Sequence, residues 1–156
     1  MIGFGYDVHR LQEGESLVLG GVTLESKLGT VAHSDGDVLL HAIMDALLGA
    51  CALGDIGLHF PDTKPEWRGA DSIELLKHVV TLVSAEGMRI VNIDSTVVLE
   101  APRLRPHIDA MRARIAEATG LAIKRVSIKA TTNERLGFVG REEGIAAYAA
   151  AQLETA

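Results

Sequence analysis

Apolar and polar residues alternate along several segments of the chain, with the two-residue period of a β-strand. The alternation is longest in two segments of the second half, and three shorter apolar segments precede residue 25. Two of the short segments flank Gly20-Gly21, a pair typical of a hairpin turn. The predicted strands are residues 2–8, 17–19, 22–24, 90–99 and 124–132.

Three other segments carry apolar residues every three to four positions, which predicts helices. The first follows the N-cap candidates Ser34-Asp35-Gly36-Asp37 and extends to about residue 53. It is apolar on most faces, and we therefore expect it to be buried. The other two are residues 71–87 and 102–120, and both end at a glycine, as helices often do. Residues 54–69 include two prolines and predict a long loop, which is more often functional than idle. The alanine-rich tail, residues 143–153, suits either a helix or a last strand.

Length and element order predict one α/β domain of 156 residues with its helices on one face of the sheet. The net charge is −6 and no basic run is present, which argues against a nucleic-acid or membrane-surface binder. No apolar run reaches the roughly 20 residues of a membrane span, and no signal-peptide pattern is seen. The single cysteine, Cys51, suits a reducing compartment, so we expect a cytoplasmic protein.

Asp7, His9 and His41 are the strongest candidates for chemistry. Alternate residues of a strand point to the same face, so Asp7 and His9 can share one ligand. His41 lies inside the most apolar helix, where a polar imidazole is unexpected unless it has a ligand or a hydrogen-bond partner. Two imidazoles and a carboxylate form a zinc ligand set that leaves the fourth position open, as in catalytic sites. The alternative is that Asp7 closes a turn and His41 is a hydrogen-bonded core histidine.

The segment before this helix could bind phosphate. His33 and Ser34 lie where the N–H groups and dipole of a helix N-terminus favour an anion. Ordinary capping by Ser34 or Asp35 explains the same residues. Asp45 follows His41 by four positions, and we expect it to accept the second ring proton of His41 or to be a partly exposed acid.

A second polar motif follows the strand predicted at residues 124–132. Thr131 and Thr132 could donate hydrogen bonds to phosphate oxygens. Glu134 could hold a hard divalent ion such as Mg²⁺, which prefers oxygen ligands and usually shares a phosphate. The alternative is a polar turn after an edge strand.

Together these segments resemble the 2-C-methyl-D-erythritol 2,4-cyclodiphosphate synthase family of the non-mevalonate isoprenoid pathway. The resemblance runs essentially end to end, and so many ordered motifs make coincidence a poor explanation. The motifs are Gly5-Tyr-Asp-Val-His9, Ala32-His-Ser-Asp-Gly-Asp37, Asp45-Ala-Leu-Leu-Gly49, Gly54-Asp-Ile-Gly57, Phe60-Pro-Asp-Thr63, Ala101-Pro102, Lys129-Ala-Thr-Thr132, Leu136-Gly-Phe138 and Gly140-Arg141.

The resemblance implies an intramolecular phosphoryl transfer by a metal-dependent lyase. The 2-phosphate of 4-diphosphocytidyl-2-C-methyl-D-erythritol 2-phosphate would attack the β-phosphorus, and CMP would leave. The product would be 2-C-methyl-D-erythritol 2,4-cyclodiphosphate. Such a reaction needs the substrate folded into an attack geometry and its phosphate charge neutralised.

The resemblance also implies two metal ions. Asp7, His9 and His41 would hold one Zn²⁺ per subunit, whose open position takes a β-phosphate oxygen. Glu134 is similar to the ligand of a second ion, Mg²⁺ or Mn²⁺, on the substrate diphosphate.

Two residues, His33 and Thr132, resemble the groups that align and stabilise the pentacoordinate phosphorus. Further contacts with the cytidine, ribose, phosphate and erythritol groups are implied by position in the motifs. The implied substrate-binding residues are Asp7, His9, His33, Ser34, Asp55, Ile56, Gly57, Phe60, Pro61, Asp62, Thr63, Lys64, Leu99, Glu100, Ala101, Pro102, Arg103, Leu104, Arg105, Thr131, Thr132, Asn133, Glu134, Phe138 and Arg141.

The family is a homotrimer with active sites between subunits, so the resemblance favours a strand for the tail. We therefore expect a mixed four-stranded sheet with helices packed on one face, a small N-terminal hairpin, and sheets gathered around a trimer axis. Phe138 and Arg141 resemble residues near a central cavity that accepts isoprenoid diphosphates in some members.

Two other functions are compatible with the motifs. A metal-dependent phosphodiesterase on the same scaffold would activate a water molecule and release a linear bisphosphate. A non-catalytic trimeric module would bind nucleotides or isoprenoid diphosphates without turnover. Fold by itself does not separate the three.

Overall fold

The computed structural model describes residues 1–61 and 63–156, which contain seven strands and five helices. The strands are β1 (Ile2–Glu13), β2 (Leu17–Leu19), β3 (Val22–Leu24), β4 (Leu28–Val31), β5 (Met88–Val98), β6 (Val126–Thr131) and β7 (Gly144–Thr155). The helices are α1 (Val38–Ala50), α2 (Ile56–His59), α3 (Ser72–Ala85), α4 (Ile108–Thr119) and α5 (Gly137–Gly140). Short 3₁₀ turns span Pro65–Trp67, Arg105–His107 and Ile123–Arg125.

Five strands form one mixed sheet in the order β4-β1-β7-β5-β6, with β5 and β6 parallel and the other pairs antiparallel. The hairpin β2-β3 is separate, as predicted. The fold class is confirmed, but the sheet has a fifth strand beyond the four predicted. β4 is only four residues long and carries no alternation. It forms because β1 continues to Glu13 and pairs with it from Arg10↔Val31 to Glu13↔Leu28.

The ambiguous tail is the central strand of the sheet. β7 pairs with β1 on one side and with β5 on the other. The helix propensity of alanine amounts to less than about 1 kcal/mol per residue, so hydrogen-bond ladders on both sides of the strand outweigh it. The inward alanines of β7 are buried under α1, and their small size lets the helix lie close to the sheet.

Helix α1 contacts β1 backbone to backbone. A Cβ atom built on Gly3 would lie 1.8 Å from the carbonyl oxygen of Ala46, and one on Gly5 would lie 1.9 Å from that of Ala42. Only glycine permits this approach, because any side chain would overlap the helix. As predicted, α1 is buried on nearly all sides, with only Asp45 and Gly49 outside the buried class.

The remaining helices depart from prediction mainly at their ends. α3 begins after Asp71, whose side chain accepts the N–H of Ile73, and it is followed by Gly87 with φ 71°. The helix predicted from residue 102 begins only at Ile108, because two prolines interrupt the preceding segment. Within the described residues, no helix is both long and apolar enough to span a membrane.

Candidate functional site

The structure brings Asp7, His9 and His41 together. Asp7 and His9 lie on the inner face of β1, two residues apart, and α1 places His41 against them. Asp7 Oδ2 lies 2.9 Å from His9 Nε2 and 3.0 Å from His41 Nδ1, and the two nitrogens are 3.1 Å apart. Within the described part of the chain, this is the one cluster of histidine, cysteine or acidic side chains able to hold a metal.

The triangle of ligand atoms fits a small divalent cation. Tetrahedral zinc with bonds of about 2.0–2.1 Å places neighbouring ligand atoms roughly 3.3–3.4 Å apart, a few tenths of an ångström more than observed. If both imidazoles instead donate to Asp7, their protons approach each other between nitrogens only 3.1 Å apart. A cation at the centre accepts a lone pair from all three atoms and removes that conflict.

Asp7 and His41 stabilise each other's charged forms. Burial disfavours the ionised Asp7 carboxylate, but hydrogen bonds from His41 and His9 outweigh it and hold the pKa of Asp7 well below its usual value. Burial likewise disfavours a charged His41, but the hydrogen bond with Asp7 outweighs it and raises the pKa of His41. The carboxylates around His41 therefore stabilise positive charge, which suits a cation.

The second nitrogen of His41 faces two serine hydroxyls. His41 Nε2 lies 3.2 Å from Ser72 Oγ and 3.3 Å from Ser34 Oγ. The predicted hydrogen bond from His41 to Asp45 is wrong. Asp45 Oδ1 instead accepts the backbone N–H of Ile56 at 2.9 Å, so it joins α1 to α2.

The metal cluster lies at a cavity of about 350 Å³. Its walls include eight of the residues that the resemblance implied: Asp7, His9, His33, Ser34, His41, Ile56, Gly57 and Phe60. Five others were not singled out from sequence: Val31, Ala32, Met44, Trp67 and Leu75. Trp67 packs edge-on against Phe60 with ring centroids 5.1 Å apart. Its position in the predicted functional loop is the one sequence feature that could have marked it as a site residue.

Helix α1 is capped by Asp37, the last of the four N-cap candidates, and not by Ser34 or Asp35. Asp37 Oδ1 accepts the N–H groups of Leu40 and Gly20, and Oδ2 accepts that of Gly21. Burial raises the pKa of Asp37 to about 6, although the three N–H donors oppose that rise. Asp37 thus joins the hairpin to α1, and Ser34 is left to line the cavity.

A second cavity, of about 180 Å³, collects most of the segment implied to hold cytidine. Its walls are Leu99, Glu100, Pro102, Arg103, Leu104, Arg105, Ile108, Ala130, Thr131 and Thr132. Asn133 is tied to this cavity, because its N–H donates to Glu100 Oε1 at 2.9 Å. Glu134 is exposed and is not part of the metal cluster of its own chain.

The two cavities lie at the same end of the sheet but on different strands. Asp7 pairs with Ala147, Ala147 with Val97, and Val97 with Ala130. Three strand spacings of about 4.8 Å place β1 and β6 roughly 14 Å apart. Within one chain, the metal cluster and the second cavity are therefore separate sites.

The other implied substrate residues are dispersed. Asp55 accepts the N–H of Leu58 and caps α2, and Thr63 lines a small cavity with His33. The exposed Lys64 ammonium lies 3.9 Å from Glu66, and Pro61 is half-buried.

Besides Pro102, two implied residues lie on a separate groove. Ala101 and Arg141 line this groove, and Arg141 also pairs with Glu143 at 2.9 Å. Phe138 is 39% exposed, and Asp62 lies outside the described residues.

A family model described as the YgbB family matches residues 1–154. The chain belongs to the YgbB family. The resemblance inferred from the motifs is confirmed by relatives named 2-C-methyl-D-erythritol 2,4-cyclodiphosphate synthase. One from Pseudomonas aeruginosa is 61% identical over 97% of each chain. Another from Symbiobacterium thermophilum is 64% identical over 98% of each chain.

Solved structures agree with this family assignment. A 2C-methyl-D-erythritol-2,4-cyclodiphosphate synthase in a CDP-bound form has a TM-score of 0.92 and 40% identity, covering 99% of this chain and all of its own. The bifunctional IspDF from Campylobacter jejuni has a TM-score of 0.95 and 43% identity. The match covers 99% of this chain but only 42% of the Campylobacter jejuni chain, in which the matched fold is therefore one part of a larger protein.

Proposed function

We propose that this chain converts 4-diphosphocytidyl-2-C-methyl-D-erythritol 2-phosphate to 2-C-methyl-D-erythritol 2,4-cyclodiphosphate and CMP. An oxygen of the 2-phosphate bonds to the β-phosphorus, and the bond from that phosphorus to the oxygen of CMP breaks. The observation that carries the proposal is the Asp7–His9–His41 cluster at the wall of a cavity that also contains His33 and Ser34. High identity to named synthases over nearly the whole chain supports it.

Zinc is our proposal for the ion, because a carboxylate and two imidazoles suit it and would leave its fourth position for a substrate oxygen. When bound, it would supply a Lewis acid that makes a phosphorus more electrophilic. The protein's part is to hold phosphate beside the cluster. Ser34 Oγ accepts the N–H of Gly36 at 3.3 Å, which leaves its own proton for a phosphate oxygen. His33 can donate from the same wall.

The second cavity is proposed to hold the cytidine diphosphate part of the substrate. Arg103 and Arg105 line it as exposed cations, and Thr131 and Thr132 can donate to phosphate oxygens. Thr132 would act as the phosphorus becomes pentacoordinate. Glu134 would hold Mg²⁺ or Mn²⁺ on the diphosphate, since a carboxylate on an exposed turn is available to such an ion.

We also propose a homotrimer in which neighbouring chains complete each active site. The outer face of β1 and β7 exposes Ile2 (81%), Phe4 (68%), Tyr6 (44%), Val8 (41%) and Tyr148 (41%). An apolar patch of this kind on a sheet indicates a protein interface. The separation of the two cavities within one chain supports the same idea, because the metal of one chain could meet the nucleotide of the next. Sedimentation velocity tests it, with Phe4→Asp expected to release monomers.

Two finer points belong to the same proposal. Phe138 and Arg141 would lie near a central cavity able to take an isoprenoid diphosphate, and Arg141, exposed beside Glu143, would supply a cation. The single Cys51 remains consistent with a cytoplasmic location.

The function is tested by ³¹P NMR of the protein with the cytidine diphosphate substrate, Zn²⁺ and Mg²⁺, and a chelator control. Chelator-sensitive release of CMP with a coupled pair of cyclic diphosphate resonances is expected. Release of CMP with a linear bisphosphate would instead support the phosphodiesterase. Binding without any change of the phosphorus spectrum would support a non-catalytic binding module.

A further inference from the structure

One carboxylate at the second cavity is directed towards the protein itself. Glu100 lies just after β5, and residues 133–136 lie just after β6. These two strands are parallel and pair as far as Val98↔Thr131, so both segments emerge at the same edge of the sheet. The Glu100 side chain lines the cavity but is only 6% exposed. A negative charge repels phosphate, so this carboxylate needs an explanation other than binding of the substrate diphosphate.

Residues 133–136 form a turn that residues with side chains rarely adopt. The N–H of Leu136 donates to the carbonyl of Asn133 at 2.9 Å, and the two residues between them have positive φ. Glu134 has φ 51° and Arg135 has φ 63°. Positive φ at both central positions is the geometry of type I′ turns, in which asparagine, aspartate or glycine is strongly preferred. None of these occupies a central position here, so the turn requires support from the surrounding structure.

Glu100 supplies that support. Its Oε1 accepts the N–H of Asn133 at 2.9 Å and, over a longer distance of 3.4 Å, the N–H of Arg135. One oxygen therefore contacts the backbone on both sides of Glu134. Oε2 lies 3.8 Å from Arg135 Nε, but the Arg135 side chain is 80% exposed, so this ion pair adds little. The acceptor at Oε1, rather than the negative charge, holds the turn.

The conformation of the turn also orients the Thr132 hydroxyl. Thr132 Oγ1 accepts the N–H of Glu134 at 3.3 Å, which leaves the hydroxyl proton for a phosphate oxygen. Thr132 lines the same cavity and is proposed to act on the pentacoordinate phosphorus. A change of φ at Glu134 would move this N–H group, and the Thr132 hydroxyl would lose the donor that orients it.

We propose that Glu100 is a positioning residue, which holds residues 133–136 in the left-handed turn and thereby directs the Thr132 hydroxyl at the reacting phosphate. The inference rests on the proposed function. It replaces the role of Glu100 as a substrate contact, implied by the resemblance, with support of a group that contacts the substrate. Misplacing such a group by about 1 Å can lower a rate by about 100-fold.

Crystal structures of two variants test the support of the turn. Glu100→Gln keeps an oxygen that can accept both N–H groups, so the turn should be unchanged. Glu100→Ala removes the acceptor, and Glu134 and Arg135 should leave the positive-φ region. Glu142 is the internal control, because its φ is 59° and its N–H donates to Val139 instead. Positive φ retained at both turn residues in Glu100→Ala would overturn the proposal, as would equal loss of the turn in Glu100→Gln.

A kinetic double-mutant cycle tests the connection to Thr132. Glu100→Ala should lower kcat by about 10–100-fold with a smaller change in KM, and Glu100→Gln should recover most of that loss. The effect of Glu100→Ala on kcat should shrink when Thr132 is already alanine, because the hydroxyl that it positions is then absent.

Two kinetic results would contradict the proposal. Equal effects of Glu100→Ala on kcat in the two backgrounds would show that it does not act through Thr132. A rise in KM with kcat intact would make Glu100 a binding contact. A wild-type chain without turnover would defeat the proposed function, whereas the crystal structures would still decide whether Glu100 holds the turn.

Discussion

Adding one methyl group at Gly5 is expected to disable the metal site, although Gly5 contributes no ligand. The Cβ of Gly5→Ala would lie 1.9 Å from the carbonyl oxygen of Ala42 and 2.8 Å from the backbone nitrogen of Ala46. Real Cβ contacts are essentially never below 3.0 Å, and ordinary contact begins near 3.4 Å. Because the obstacle is helix backbone, no side-chain rotation relieves it, and α1 must move away from β1 by about 1 Å or more.

That movement acts directly on the ligands. His41 precedes Ala42 on α1, whereas Asp7 and His9 stay on β1. Metal–ligand bond lengths vary by only roughly 0.2 Å, so a shift of about 1 Å would move the three ligand atoms too far apart to bind one ion. We expect a Zn²⁺ affinity at least roughly 100-fold lower, the upper end of the loss for disturbed ligand support. Overpacking should also cost about 3 kcal/mol, or a melting temperature lower by roughly 6–12 °C.

Gly49→Ala is the matched control on the same helix. A Cβ there meets nothing nearer than the carbonyl oxygen of Phe4 at 4.0 Å. Alanine in place of a helical glycine should stabilise by up to about 1 kcal/mol, with Zn²⁺ affinity unchanged. Calorimetry and chelator competition on both variants test the reasoning. If Gly5→Ala kept the wild-type Zn²⁺ affinity and melting temperature, the idea that close packing of α1 on β1 holds the ligands in place would be refuted.

Three further predictions follow from the site. His41→Ala should abolish bound zinc, measured by elemental analysis, together with nearly all turnover, whereas full activity without metal would contradict the zinc proposal. Thr132→Ala should lower kcat more than it raises KM, because its hydroxyl is proposed to act on the pentacoordinate phosphorus; a change in KM with kcat intact would make it a binding group. Burial raises the pKa of Asp37 from its ordinary 3.8 to about 6, so the folded state binds the extra proton between these values and wild-type stability should fall as pH rises through that window. In metal-free Asp37→Asn that pH dependence should vanish from denaturant unfolding, with about 1–3 kcal/mol lost overall because one N–H lacks its acceptor; an identical pH profile in both proteins would argue against a buried titrating carboxylate.

Much of the fold and the metal cluster could be predicted because the relevant geometry is local. Asp7 and His9 share a face of β1 because side chains of a strand alternate, and this requires no knowledge of the partner strands. The apolar character of α1 likewise predicts burial wherever the helix packs. His41 could therefore be marked as exceptional before any neighbour was known.

Tertiary pairing decided the elements with weak local patterns. β4 is a strand because the far half of β1 offers it a partner, and β7 is a strand because it lies between β1 and β5. Alanine favours helix only slightly, and two ladders of backbone hydrogen bonds exceed that preference. No inspection of the tail by itself would reveal those ladders.

By itself, the sequence determined the period of each segment, the burial of α1 and the ligand types available to a metal, since these depend on residues at most four positions apart. Only the tertiary structure decided which group supports His41. Asp45, one helical turn from His41, accepts the backbone N–H of Ile56 instead. The contact with His41 Nε2 is made by Ser72, 31 residues later in the chain. The reason is physical: a hydrogen bond depends on separations near 3 Å in space, and packing of α1 against α3 sets those separations independently of distance along the chain.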